Sequence, residues 1–154
     1  MQVLPAFTIR TMTLDDYDAV IALMRATPGI GVRDADSREG LARYLERNPG
    51  LSFVAIDARA PDANAIVGCI MSGHDGRRGY LQHLLVLPAY RGQGIARQLV
   101  AQCLQGLSQL GIHKSHVDVF RDNAAGQSFW ENQGWHLRND ICRYSFVSNG
   151  NANA

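Results

Sequence analysis

Leu84-Leu-Val-Leu-Pro-Ala-Tyr-Arg-Gly-Gln-Gly-Ile-Ala-Arg-Gln-Leu-Val100 is the stretch from which the fold can be read. An apolar run reaches Pro88, which has no N–H to give a ladder and so ends a strand. A basic turn punctuated by Gly92 and Gly94 follows. Glycine permits left-handed dihedrals and close approach of backbone to a ligand. A helix then begins, with Ile95, Leu99, Cys103, Leu107 and Leu110 on one stripe, and Gly111 caps it. The first amides of such a helix have no partner inside it, and its dipole adds partial positive charge. Arg91 adds a full charge. Together these features form a pocket for a phosphate or pyrophosphate.

Upstream, Tyr80 to Leu87 is apolar apart from Gln82 and His83, the pattern of a central strand buried on both faces. Leu51–Ile56 and Ala65–Met71 read as a hairpin around a small, polar turn over Ala58–Asn64. Before them come a short strand at Phe7–Arg10 and a helix from Asp15 or Asp16 to Arg25. A loop covers Ile30–Asp36, and Ser37 opens a second helix that ends near Asn48-Pro49-Gly50. Downstream lie a strand at His116–Phe120, a helix over Asn123–Asn132, and final strands at Trp135–Leu137 and Cys142–Val147. This order predicts a mixed α/β sheet of about seven strands with about four helices on both faces.

The chain has 154 residues, the size of one domain, with an ordered core expected over about 7–147 and a polar tail at 148–154. Its net charge of +1 gives no bulk electrostatic case for nucleic acid or an anionic membrane. No apolar run approaches the ~18 residues of a membrane span. The three cysteines, Cys69, Cys103 and Cys142, are far apart and show no metal-ligand spacing. Neither a disulfide framework nor a metal is expected, and a cytoplasmic location is the simplest context. The basic turn lacks the Lys-Ser/Thr ending of a Walker loop. In a dinucleotide-binding pattern starting at Gly92, Arg97 would occupy the last glycine position.

Arg91-Gly-Gln-Gly-Ile-Ala96, after the strand end Leu84–Pro88, resembles the (Arg/Gln)-x-x-Gly-x-(Gly/Ala) loop of the GNAT N-acetyltransferase superfamily. Asn123-Ala-Ala-Gly-Gln-Ser-Phe-Trp-Glu-Asn-Gln-Gly-Trp135 is similar to that family's Asn-x-x-Ala-x-x-Phe-Tyr-Glu-x-x-Gly-Phe segment. The two matches stand in the family's order with a strand between them. Asp75-Gly-Arg-Arg-Gly-Tyr80 looks like a small bacterial subgroup.

The resemblance implies a mostly antiparallel sheet, splayed between its fourth and fifth strands to admit coenzyme A. The pantetheine arm would pair with backbone of Leu85, Val86 and Leu87 as an added strand. The pyrophosphate would lie on amides of Arg91, Gly92, Gln93, Gly94, Ile95, Ala96 and Arg97. Asn123 would bond the pantetheine or phosphate region, and Ser128, Phe129 and Trp130 would line the thioester end. The implied reaction moves acetyl from acetyl-CoA to a primary amine of a small molecule or protein by direct attack in a ternary complex. Alternatives are a longer acyl-CoA donor and a non-catalytic acyl-CoA-binding module. The partners expected are acetyl-CoA and an amine, with the chain a monomer or homodimer.

An alkyl ammonium has a pKa near ~10.4, so a base is useful. His83 is the natural candidate, because histidine titrates near neutrality. Alternation puts Gln82 and Tyr80 on the opposite face from His83, unless a bulge changes the facing; Gln82 therefore stays a candidate. The backbone N–H of Val86 or Leu85 is the implied oxyanion donor. At the family's proton-donating tyrosine this chain has Trp130, whose indole is no practical acid. Tyr144 or water could substitute. Releasing a thiolate at pH 7 costs only about 2 kcal/mol for a thiol of pKa ~8.5, so the reaction survives without a dedicated acid. The acceptor pocket is expected around the Pro28–Asp36 loop, the first helices and the final strands.

Overall fold

A computed structural model describes residues 6–59 and 65–154. Five strands and four α-helices run in the order β1 (Phe7–Thr11), α1 (Tyr17–Ala26), α2 (Arg38–Arg47), β2 (Phe53–Asp57), β3 (Ile66–His74), β4 (Gly79–Val86), α3 (Ile95–Gln109), β5 (Ser115–Val117) and α4 (Ala124–Asn132). Short 3₁₀ turns occupy Leu14–Asp16, Asp34–Asp36 and Pro88–Tyr90. The chain divides into two compact units, one ending at Val117 and one starting at Asp118.

In the first unit the strands lie in sequence order, β1-β2-β3-β4-β5. β1 to β4 pair antiparallel, and β5 joins β4 in parallel. A parallel neighbour needs a long crossover, which α3 supplies. One face of the sheet packs Val54, Ile56, Cys69 and Leu85 against Val20, Met24 and Leu41 of α1 and α2. On α3, Ile95, Leu99, Cys103 and Leu107 are buried at the spacing read from sequence. Leu110 is not part of that stripe: the helix ends at Gln109, and Leu110 is 58% exposed. The end is closed by the Gly111 N–H to Ser108 O and the Ile112 N–H to Leu107 O.

The expectation for β4 needs correction. Gly79 and Leu81 of β4 are buried, but Tyr80 and Gln82 are exposed, so the strand is not covered on both faces along its length. The hairpin turn expected over Ala58–Asn64 lies outside the described residues from 60 to 64.

The second unit contains α4 and no strand among its residues. Trp135–Leu137 and Cys142–Val147 carry no ladder, so the sheet has five strands and not about seven. Alternating residues mark a fit to a pleated, half-buried surface, and they make a strand only where a partner backbone is present. Tyr144 and Phe146 accordingly stand 93% and 91% exposed. α4 is capped by Asn123, whose Oδ1 accepts the Gly126 N–H at 2.9 Å. The Trp130 ring meets Trp135 edge-on at 4.7 Å and Phe129 at 5.2 Å between centroids.

β1 is tied to α1 by one buried carboxylate. Arg10 Nη1 and Nη2 donate to Asp16 Oδ2 and Oδ1 at 2.8 and 2.7 Å, and the Thr13 N–H donates to Oδ2 at 2.9 Å. The Arg10 hydrogen bonds hold the Asp16 carboxyl below its ordinary 3.8 against the opposing effect of burial. A depressed carboxylate stabilises the fold above its unfolded pKa, and that contribution is lost as pH falls through the folded value. Asp16→Asn is expected to cost roughly 1–2 kcal/mol at pH 7, a range kept low because Arg10 is partly in water. In urea titrations its deficit against wild type should shrink below about pH 3.8; a deficit unchanged at low pH would refute the assignment.

Candidate active site

The turn after β4 is anchored before it reaches the helix. The Tyr90 hydroxyl donates to Asp57 Oδ2 at 2.8 Å, joining this turn to the end of β2. Hydrogen bonds from the Arg59 N–H and then from Tyr90 draw the Asp57 carboxyl below its ordinary range. Gly92 and Gly94 follow with φ of +77° and +83°, values that favour glycine. Gly94 is the N-cap of α3 and has no side chain with which to cap it. Its carbonyl accepts the Gln98 N–H, while the amides of Ile95, Ala96 and Arg97 have no intrahelical acceptor. No acidic side chain occupies that first turn. The Ile95 side chain is buried, so of this residue only the amide could serve a ligand. Arg91, Gly92, Gln93 and Arg97 are exposed around the same helix start.

β4 leads into this loop with an open side. It pairs with β5 only over Gly79–Leu81. From Gln82 to Val86 that side has no β5 partner among the described residues. Leu87 gives its N–H to Val67 O at 2.8 Å, and Val86 stands opposite Gly68 in the register. Alternation then points the Val86 N–H and C=O away from β3. The Val86 carbonyl accepts from Arg91 Nε at 3.1 Å. Of Leu85, Val86 and Leu87, Val86 is the residue whose backbone faces the open side; the Leu87 N–H is already used by the sheet.

A bulge decides what faces this edge. Cys69 pairs with Leu85 but Met71 pairs with Gln82, so β4 carries one residue more than β3 across that interval. His83 lies there with φ of +52°, a left-handed conformation rare for a residue with a Cβ. Regular alternation would send His83 and Gln82 to opposite faces. Instead His83 Nε2 lies 3.0 Å from Asp36 Oδ1, and Gln82 Nε2 donates to the Tyr44 hydroxyl at 3.3 Å. Asp36 precedes α2 and Tyr44 lies on it, so both side chains turn to the helix-covered side.

Asp36 is itself fixed in place. Its Oδ2 accepts the Arg33 N–H at 2.9 Å, and its carbonyl accepts the Tyr17 hydroxyl at 3.1 Å. Burial opposes ionisation, but hydrogen bonds from His83 and the Arg33 amide hold the carboxyl below the ordinary range. Burial also keeps the Tyr44 hydroxyl above its usual range, which suits it as a neutral donor and acceptor. Cys69 and Cys103 are buried, and burial pushes both thiols up to about 12. Cys142 is exposed.

The remaining candidates belong to the second unit. Asn123 uses its oxygen in the α4 cap, which leaves its amide N–H groups and one lone pair for other contacts. Ser128 is exposed, Phe129 half-buried and Trp130 buried in its aromatic contacts. Tyr144 is on no strand and is almost fully exposed. Asp118 pairs with Arg143 at 3.0 Å, both exposed. Sequence reading missed Asp36, Tyr44 and the Tyr90–Asp57 anchor. For Asp36 the available signal was a carboxylate in the loop already assigned to the acceptor pocket.

The comparisons agree with this geometry. Residues 17–135 match the acetyltransferase (GNAT) family model. An acetyltransferase of Sodalis glossinidius is 32% identical, over 86% of this chain and 89% of its own length. One of Pectobacterium atrosepticum is 35% identical, over 80% and 83%. Among solved structures, the PaiA N-acetyltransferase of Thermoplasma acidophilum, in complex with coenzyme A, superposes with a TM-score of 0.75 at 20% identity, covering 89% of this chain and 94% of that one. The aminoglycoside acetyltransferase AAC(6')-Iy, holding a bisubstrate analogue, gives 0.69 at 22% identity over 92% and 98%. An α/β sheet opened beside β4, a glycine-capped helix start after it, and relatives above 30% identity along most of the chain lead to one conclusion: this protein is a member of the GNAT acetyltransferase family.

Proposed function

We propose that the protein transfers acetyl from acetyl-CoA to a primary amine, by direct attack of the amine on the thioester while both substrates are bound. The observation that carries this reading is the β4 edge beyond Leu81, which has no β5 partner among the described residues, turns the Val86 N–H outward and leads into the uncapped start of α3. Pantetheine has two amides and can bond to such an edge as a short strand. Its pyrophosphate then meets the free amides of Ile95, Ala96 and Arg97, the helix dipole, and the charges of Arg91 and Arg97.

In this reading the Val86 N–H stabilises the oxyanion that forms when the amine adds to the acetyl carbonyl. His83 takes the proton that the amine must lose. The tetrahedral adduct collapses to the amide and expels the sulfur as thiolate, which takes its proton from water. Trp130 supplies none, and the cost of about 2 kcal/mol is small beside the ~8 kcal/mol or more that enzymes remove from barriers. Thiols near 12 are poor nucleophiles at neutral pH, which favours direct attack over an acyl-cysteine route through Cys69 or Cys103.

Saturating coenzyme A should raise the melting temperature, with ~2.7 kcal/mol of stabilisation at a hundredfold excess over Kd. An unmoved melting curve would overturn the reading. Gly94→Val should lose this shift while keeping its far-ultraviolet circular dichroism. The nearest atom to a Cβ there is Arg97 Nη2 at 3.5 Å, so the space is open and the obstacles are the φ of +83° and the blocked approach to phosphate.

Acetyl-CoA turnover should appear with at least one member of a panel of spermidine, free lysine and an alanine-start peptide, followed by release of free thiol. Trp130→Phe should keep most of that rate, since it retains an aromatic ring without the indole N–H. A dead Trp130→Phe that still binds coenzyme A would give the indole N–H a specific role. Binding without turnover across a wide amine panel would instead identify a non-catalytic acyl-CoA-binding module.

A further inference from the structure

The geometry points to Asp36 as the positioning residue that fixes the tautomer and aim of His83, so that the ring presents its Nδ1 lone pair as the proton acceptor. This inference rests on the reading of His83 as the base. Three independent features converge on the pair. First, β4 spends a register shift and a left-handed residue to turn the ring, at a φ of +52°. A side chain in such a conformation costs energy that surrounding structure must offset. Second, the ring does not end in solvent: Nε2 reaches Asp36 Oδ1 at 3.0 Å, and the two side chains are only 21% and 9% exposed. Third, Asp36 is held at both its side chain and its main chain: Oδ2 accepts the Arg33 N–H, and its backbone carbonyl accepts the Tyr17 hydroxyl.

A carboxylate only accepts hydrogen bonds. A neutral imidazole facing it must therefore carry its proton on Nε2, which leaves the lone pair on Nδ1. When Nδ1 takes the proton of an attacking amine, the ring becomes a cation hydrogen-bonded to a fixed anion. The proton then leaves to water, and ring and carboxylate return to their starting states. The carboxylate touches neither substrate in this scheme; it acts through the ring. The 3₁₀ turn Asp34–Asp36 thus does for a bulged strand what an orienting acid does for a catalytic histidine in hydrolases.

The first test reads the ring directly. Nitrogen-15 spectra of the His83 imidazole, at a pH where it is neutral, should show the Nε2–H form in wild type. Asp36→Ala should shift it towards a mixture. Asp36→Asn, whose amide oxygen can still accept the Arg33 N–H, guards against simple loss of the turn. Wild type in the Nδ1–H form, or a tautomer unmoved in both variants, overturns the inference.

The second test uses turnover of acetyl-CoA with spermidine, lysine and the alanine-start peptide. Asp36→Ala should lower kcat by about tenfold or more, out of the roughly hundredfold a positioned base supplies, with KM for acetyl-CoA unchanged. Combined with His83→Ala it should add nothing further, because the two act as one unit. Additive losses, or a full rate in Asp36→Ala, overturn the positioning role while leaving His83 as base. A full rate in His83→Ala, or no turnover with any amine, overturns the base reading itself.

Discussion

Every strand inside a sheet has polar backbone on two sides, and a buried amide left without a partner costs about 1–3 kcal/mol. β4 pairs with β3 on either side of the bulge, at Gly79–Gln82 and Leu85–Val86, but with β5 only at Gly79–Leu81. The five residues beyond are the unfinished part of the sheet. That single shortfall organises the molecule. It makes an opening without a hole through the core, because Leu85 remains packed with α1 and α2 on one side and α3 covers the other. It also turns the Val86 N–H outward on an edge that has no β5 partner among the described residues. The helix start just beyond is unfinished in the same sense, since Gly94 offers no cap.

The bulge at His83 is the second departure from regularity, and it sits within the opened segment. Its effect is to bring two consecutive side chains to one face. Without it, either Gln82 or His83 would point towards α3. With it, the sheet edge gains a polar strip made of Gln82, Tyr44, His83 and Asp36, linked in pairs at 3.3 and 3.0 Å. In the proposed reading, the acceptor side of the site is built by strand geometry together with the loop before α2, and the coenzyme side by the loop before α3.

What could be read from the chain was whatever depends on neighbours in sequence. The stripe Ile95, Leu99, Cys103, Leu107 is a property of helical spacing, and the uncapped, left-handed start of α3 is a property of two glycines. Both needed only local physics. The partner of His83 did not yield to such reading, because Asp36 meets it across a register shift that no local pattern encodes. The same limit explains the last two strands. Trp135–Leu137 and Cys142–Val147 have strand-forming side chains, but pairing depends on a neighbour, and the structure leaves them as exposed chain. Leu110 failed by one residue: the stripe holds through Leu107, and the helix ends at Gln109, leaving Leu110 exposed.

The two buried cysteines have a consequence for a protein that handles thioesters. Thiolates exchange with thioesters, so a reactive cysteine near the coenzyme would trap the acyl group on the enzyme. With their thiols at about 12, Cys69 and Cys103 hold a thiolate fraction of only about one in a hundred thousand at pH 7. Cys69 lies directly against the bulge, its sulfur 3.5 Å from the His83 carbonyl. Burial there does more than fill space: it makes the strand that would carry the thioester immune to self-acylation.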